Sequence, residues 1–136
     1  MTEQFPIGLT GEARVQVTPE VTAQHMGSGT VPVFATPQMV LLIERAAVNA
    51  LAPRLASGQQ SVGTMVNVRH LAATPLDATV TARAELIAVD GRRLTFRVSA
   101  HDGTELIGSG THERALIDLA RFEAKVAAKA AEADQN

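Results

Sequence analysis

Residues 34–53 read Phe34-Ala-Thr-Pro-Gln-Met-Val-Leu-Leu-Ile-Glu-Arg-Ala-Ala-Val-Asn-Ala-Leu-Ala-Pro53, an apolar run with a start, a stop and one carboxylate inside it. Thr36 is a good helix N-cap, and Pro37 suits the first helical position, where a missing N–H costs nothing. Pro53 ends the run. At about 100° per residue, Val40, Ile43, Ala47 and Leu51 share one sector of the helix. Gln38, Arg45 and Asn49 cluster on the opposite, wet or subunit-facing side. Glu44 falls at roughly 80° from Thr36, among Val40, Val48 and Leu51. A carboxylate placed there needs a partner or must hold its proton.

The segments around this helix read mainly as strands. Residues 1–11 look irregular, and Glu12 to Val17 alternates as a first strand. Residues 20–33 are rich in glycine and turn formers and read as a loop beside the helix entrance. From Val62 to Thr74 the chain is β-branched, with Val62, Thr64, Val66, Val68 and His70 on one face and Gly63, Met65, Asn67 and Arg69 on the other. Ala78 to Val89, Leu94 to Val98 and Thr104 to Ile117 give three more strands, joined by turns at Asp90-Gly91 and Asp102-Gly103. Two-residue loops at both turns would set Glu85 opposite Phe96, so a bulge or a longer loop is expected. Asp118 can cap a terminal helix with an apolar stripe of Leu119, Phe122, Val126 and Ala130, fraying from Glu132 to Asn136.

A helix that is apolar around most of its girth needs burial on more than one side. One antiparallel sheet wrapped around it supplies that, so the fold class is α+β: a hot-dog arrangement with an added C-terminal helix, in a single domain over residues 1–136. Such a sheet leaves an open edge strand and an incompletely covered helix, which predicts a homodimer.

Composition excludes several functions. With no cysteine among 136 residues there is no disulfide, thiolate metal site or cysteine nucleophile. A net charge of −2, with no Trp or Tyr, leaves no footprint for nucleic acid. The longest apolar run is too short to span a bilayer, and Met-Thr-Glu-Gln-Phe-Pro6 shows no secretory signal, so a cytoplasmic protein is expected. No two histidines stand at i, i+4 spacing, which argues against a metal site. His25, His101 and His112 form no useful pattern. Gly108-x-Gly110 precedes no helix and reads as close strand packing, and Arg92-Arg93 as a solvated hairpin tip.

Taken together, Val33-Phe-Ala-Thr-Pro-x-Met-Val-x-Leu-x-Glu44, Ser61-Val-Gly-Thr64, His70-x-Ala-Ala-Thr-Pro75, Val89-Asp-Gly-Arg-Arg-Leu94 and Ile107-Gly-Ser-Gly-Thr-His-Glu-Arg114 resemble the fluoroacetyl-CoA thioesterase group of hot-dog proteins, over roughly residues 10–126. The resemblance implies an acyl-CoA thioesterase whose catalytic Thr, Glu and His are Thr36, Glu44 and His70. It also implies that the Gly63 backbone N–H helps hold the thioester carbonyl and that Arg114 is the functional arginine. Coenzyme A would enter only as part of the substrate, with no metal or redox cofactor. The family's phenylalanine lid has no counterpart: the matching loop, Met26-Gly-Ser-Gly-Thr-Val31, has no aromatic before Phe34, which is taken as substrate-binding. The resemblance thus supports the catalytic machinery and not fluoroacetyl-CoA as the substrate.

Thioester hydrolysis needs a nucleophile or activated water, a base and donors for the developing oxyanion. His70 and Glu44 are expected to form the acid–base pair, with Thr36 as nucleophile or water-positioning group. Thr36 and Glu44 stand about 12 Å apart along a regular helix, so either something bridges them, with His70 the candidate, or the helix starts after Pro37 and the Thr36 segment folds back. Other readings stay open: Thr36 as a plain helix cap, Glu44 in a dimer interface or structural ion pair, His70 as structural. At the level of function, a non-catalytic hot-dog domain binding acyl-CoA or another small ligand, or a hydratase or dehydratase, remains the alternative.

Overall fold

The computed structural model describes residues 4–134 of the chain. In order, the chain forms β1 (Thr10–Gln16), a short α1 (Ala23–Met26), α2 (Thr36–Leu51), β2 (Gln59–His70), β3 (Thr79–Asp90), β4 (Arg93–His101), β5 (Leu106–Asp118) and α3 (Leu119–Asp134). The five strands make one antiparallel sheet in the order β1-β3-β4-β5-β2, which leaves β1 and β2 as its edges. The sheet curls around α2, the hot-dog arrangement expected from the apolar helix.

One sector of α2, with Met39, Leu42, Ile43, Ala46, Ala47, Ala50 and Leu51, is buried against alternating residues of the sheet such as Val80, Leu86, Leu94, Phe96, Val98 and Ile107. Small residues let the helix come close. A side chain at Gly11 would strike the backbone of Ala46 and Ala50, and one at Gly108 the thioether of Met39. Gly110 is pressed against Asn67 and Val68 of β2 in the same way, which accounts for the Gly108-x-Gly110 pattern as strand packing. The opposite side of α2 is not uniformly wet. Arg45 and Asn49 are exposed, but so are Leu41 at 38% and Val48 at 42%, and they flank the half-buried Glu44.

Three sequence expectations change. Thr36 is not the cap of α2: it is the first helical residue, and Ala35 sits at the N-cap with no side-chain bond. The cause is the anchored chain before it. Phe34 and Ala35 are buried, the Phe34 N–H donates to the Thr74 carbonyl and the Ala35 N–H to that of Val21. The Thr36 hydroxyl is therefore spared from capping. Second, the loop before the helix contains the single turn of α1, capped by the Thr22 hydroxyl, which accepts from the His25 N–H at 3.2 Å.

The third change decides the site. The β2–β5 ladder pairs Gly63 with Arg114 and Met65 with Glu113, leaving Thr64 as an extra residue in a bulge. Strict alternation puts Gly63 and His70, seven residues apart, on opposite faces. The bulge moves Gly63 onto the same inward face as His70, so both look at α2.

The expected bulge on β3 is also present, between Leu86 and Ala88, and it sets Leu86 opposite Phe96 and Glu85 opposite Arg97. Asp118 caps α3 as expected, accepting from the Arg121 N–H at 3.0 Å. The α3 stripe of Leu119, Phe122 and Val126 is exposed rather than packed on the sheet. The helix runs on to Asp134, past the start of the expected fraying, and residues 1–3, 135 and 136 lie outside the described residues.

Candidate active site

Two constellations sit where β2 passes along α2. At the helix entrance the Thr36 hydroxyl lies 2.7 Å from Nδ1 of His70, at the end of β2. The anchoring of Phe34 and Ala35 aims Thr36 outward, and the inward phase of β2 aims His70 to meet it. His70 Nε2 is buried with no hydrogen-bond partner among the described residues. Burial holds the His70 imidazole below its ordinary pKa, with the Ala72 backbone carbonyl acting in the opposite direction. A neutral imidazole accepting the Thr36 proton on Nδ1 carries its own proton on Nε2.

A cleft of about 350 Å³ opens beside this pair. Its lining combines small residues, Ala23, Ser28, Ala72 and Ala73, with the larger Val33, Phe34 and Leu71 next to Thr36 and His70. A larger groove of about 1690 Å³ runs between α3 and the outer face of the sheet, but none of Thr36, Glu44, His70 or Gly63 lines it.

The second constellation lies two turns further along α2. Glu44 Oε2 pairs with Arg114 Nη1 at 3.5 Å. This is the partner its apolar sector required, and it comes from β5 rather than from His70. Arg114 is buried and each of its three nitrogens has a partner. Nε donates to the Ser61 hydroxyl at 2.8 Å, Nη2 to the Ser61 carbonyl at 3.1 Å and Nη1 to Nε2 of His112 at 3.2 Å. Burial lowers the Arg114 pKa and the Glu44 carboxylate counters it; a guanidinium stays charged in either case. Gly63 opens onto this cluster, since a Cβ there would stand 2.7 Å from Glu44 Oε2.

The structure therefore brings Thr36 to His70, and Glu44 to Gly63 and Arg114, but within the chain His70 does not bridge the two groups. Phe34 lines the cleft from a buried position. Sequence reading missed Ser61 and His112. The available signal was register: His112 lies two residues before Arg114 on a strand, and so on the same face. Among the described residues no group of three or more His, Asp or Glu side chains is placed to hold a metal ion, and no helix is long and apolar enough to cross a membrane.

The family model for fluoroacetyl-CoA-specific thioesterases matches residues 17–120. The chain belongs to that family. It is 60% identical over 97 residues to the fluoroacetyl-CoA thioesterase of Streptantibioticus cattleyicolor, covering 71% of this chain and 70% of that one. A solved fluoroacetyl-CoA thioesterase structure superposes with a TM-score of 0.85 at 48% identity, over 91% of this chain and 96% of that one. A Thermus thermophilus thioesterase superfamily member gives 0.90 at 30% identity, over 97% and 98% of the two chains. This member of the family is an acyl-CoA thioesterase, a hydrolase of thioester bonds.

Proposed function

We propose that the protein hydrolyses the thioester of a short acyl-CoA, using Thr36, His70 and Glu44, as a cytoplasmic homodimer of single-domain protomers. The observation that carries this reading is the 2.7 Å contact between Thr36 Oγ and His70 Nδ1 at the mouth of a small cleft. His70 takes the hydroxyl proton as Oγ attacks the carbonyl carbon. The new C–O bond forms, the C–S bond breaks, and the proton passes to the departing CoA thiolate. Water activated by the same imidazole then releases the acid and restores the Thr36 hydroxyl. The Gly63 N–H polarises the carbonyl. No metal or redox step is needed for this chemistry.

Glu44 enters from the second copy. It lies on a face of α2 with exposed Leu41 and Val48, and β2 is an open sheet edge. Two β2 strands paired antiparallel about Asn67, with Thr64 left out of the ladder as the bulge residue, set Gly63 of one copy against His70 of the other. Glu44, beneath Gly63, then approaches the buried and otherwise unpartnered Nε2–H of that His70. A buried donor without an acceptor costs about 1–3 kcal/mol, which such a carboxylate removes.

The acyl group is short, because the cleft is at the small end of ligand pockets, about 300–1,000 Å³, and Val33, Phe34 and Leu71 take up part of its wall. It is not restricted to fluoroacetyl, since Met26 to Val31 brings no aromatic side chain over the cleft. The test is release of free thiol from acetyl-, fluoroacetyl-, propionyl-, butyryl- and octanoyl-CoA by the wild type, Glu44→Gln and His70→Ala. Turnover of the short chains by the wild type, with loss in both variants, is expected. Binding of these thioesters without cleavage by the wild type would make the protein a ligand-binding domain instead.

A further inference from the structure

We propose that His112 is a positioning residue that sets both the Arg114–Glu44 pair and the β2 bulge at Gly63. This rests on the assignment of Glu44 and Gly63 to the thioesterase site. His112 is fully buried on β5. Its Nδ1 lies 2.7 Å from the Met65 backbone carbonyl. A carbonyl oxygen only accepts, so Nδ1 carries the proton and Nε2 is left as an acceptor. Nε2 receives the Nη1 N–H of Arg114, the nitrogen that also faces Glu44.

One neutral tautomer thus makes both bonds. Toward β2, it holds the carbonyl of the residue just after the extra Thr64, so the bulge that turns Gly63 inward is tied to β5 by a side chain. Toward α2, it fixes the third nitrogen of a guanidinium whose other two are held by Ser61, which leaves Arg114 one orientation for Glu44. The ring is itself held, lying against Phe96 with centroids 6.3 Å apart and planes 28° apart. Gly63 lies beside it: a Cβ there would stand in ordinary contact with His112 Cε1, at 3.4 Å. An imidazole protonated on both nitrogens would lose the acceptor and put a second cation against Arg114, so the tautomer is part of the design.

The two bonds separate in two variants of the intact protein. In His112→Gln the side-chain carbonyl takes the place of Nε2 and accepts from Arg114. In His112→Asn the amide N–H takes the place of Nδ1 and reaches only the Met65 carbonyl. Steady-state thiol release is measured on the best acyl-CoA, with thermal unfolding alongside. His112→Asn is expected to lower kcat roughly tenfold or more with little change in KM, because a misaimed group acts mainly in the transition state. His112→Gln should keep kcat nearer the wild type.

In an Arg114→Lys background, His112→Asn should cost little further, the non-additivity of residues acting through one another. Ring nitrogen-15 spectra of the wild type should show His112 as the neutral Nδ1–H tautomer. The proposal is overturned if His112→Asn keeps full kcat, or if its loss is undiminished in the Arg114→Lys background and follows thermal stability alone. A harmless Glu44→Gln would instead overturn the assignment of Glu44 on which the proposal rests.

Discussion

The Thr36 hydroxyl and Nδ1 of His70 stand 2.7 Å apart although 34 residues separate them in sequence. The contact exists because Thr36 is not used as a cap. Replacing Thr36 with Ala removes the hydroxyl without disturbing the start of α2, where Ala35 is the N-cap. Thiol release should fall at least as far as the loss of a positioned acid–base group would cost, about 10²–10⁴, because the attacking hydroxyl itself is gone. The thermal midpoint should barely move. Thr36→Ser should retain measurable turnover and a covalent acyl-enzyme that mass spectrometry detects, whereas a Thr36→Ala variant as fast as the wild type would remove Thr36 from the mechanism.

Gly63 is intolerant of a side chain for a local reason. A Cβ would meet Glu44 Oε2 at 2.7 Å and Arg114 Nη1 at 3.3 Å. Gly63→Ala should displace the half-exposed Glu44 carboxylate and lower kcat by roughly tenfold to a hundredfold. Stability should change by about 1 kcal/mol or less, since the displaced group is the end of a flexible side chain. Gly11→Ala is the contrasting case: its Cβ would strike helix backbone, so unfolding in urea should show a loss of about 1–3 kcal/mol.

Half-buried His70 and fully buried His112 make both activity and stability depend on pH. Burial keeps His70 and His112 below their ordinary value of 6.5, and the charge on Arg114 also acts to lower His112. A Glu44 carboxylate brought against Nε2–H by the second copy acts the other way on His70, so its ring should protonate at lower pH in Glu44→Gln than in the wild type, as ring nitrogen-15 spectra would show. On acidification the unfolded chain takes up these protons before the folded one does. The stability held by neutral histidines is complete above the unfolded value and is lost as pH falls through the depressed folded values. Thermal midpoints should be level near neutrality and drop from about pH 6.5 downward; midpoints that stay level or rise on further acidification would contradict this.

A site completed across two copies makes a prediction that a site within one copy does not. Glu44→Gln and His70→Ala are each expected to be inactive alone. Mixed and allowed to exchange, they form heterodimers in which one of two sites has both residues intact. Recovery should approach about a quarter of wild-type activity for equal amounts with random pairing. No recovery on proven exchange would place Glu44 and His70 in the same copy.

Much of the fold was legible because it follows from patterns a sequence carries directly. The run from Thr36 to Leu51 could only be a helix wanting burial, and the alternation of Leu94, Phe96 and Val98 could only be a half-buried strand. The clash of register between Glu85 and Phe96 even announced the β3 bulge. The bulge at Thr64 gave no such warning. Val62 and Val66 on either side of it fit either phase, and the shift shows only against β5. His112 was passed over for a related reason: a lone histidine has no sequence signature when its partners are the Met65 carbonyl and the guanidinium of Arg114.

By itself the sequence determined that an apolar helix carrying one carboxylate had to be wrapped by an antiparallel sheet, and which residue types were on hand for thioester chemistry. Hydropathy period, turn residues and the placement of proline are local properties, and local properties are written in order along the chain. The tertiary structure alone decided that His70 answers Thr36 while Glu44 answers Arg114. Those pairings depend on one extra residue in β2, on buried anchors before α2 and on how closely two elements approach. None of these is a property of any single segment.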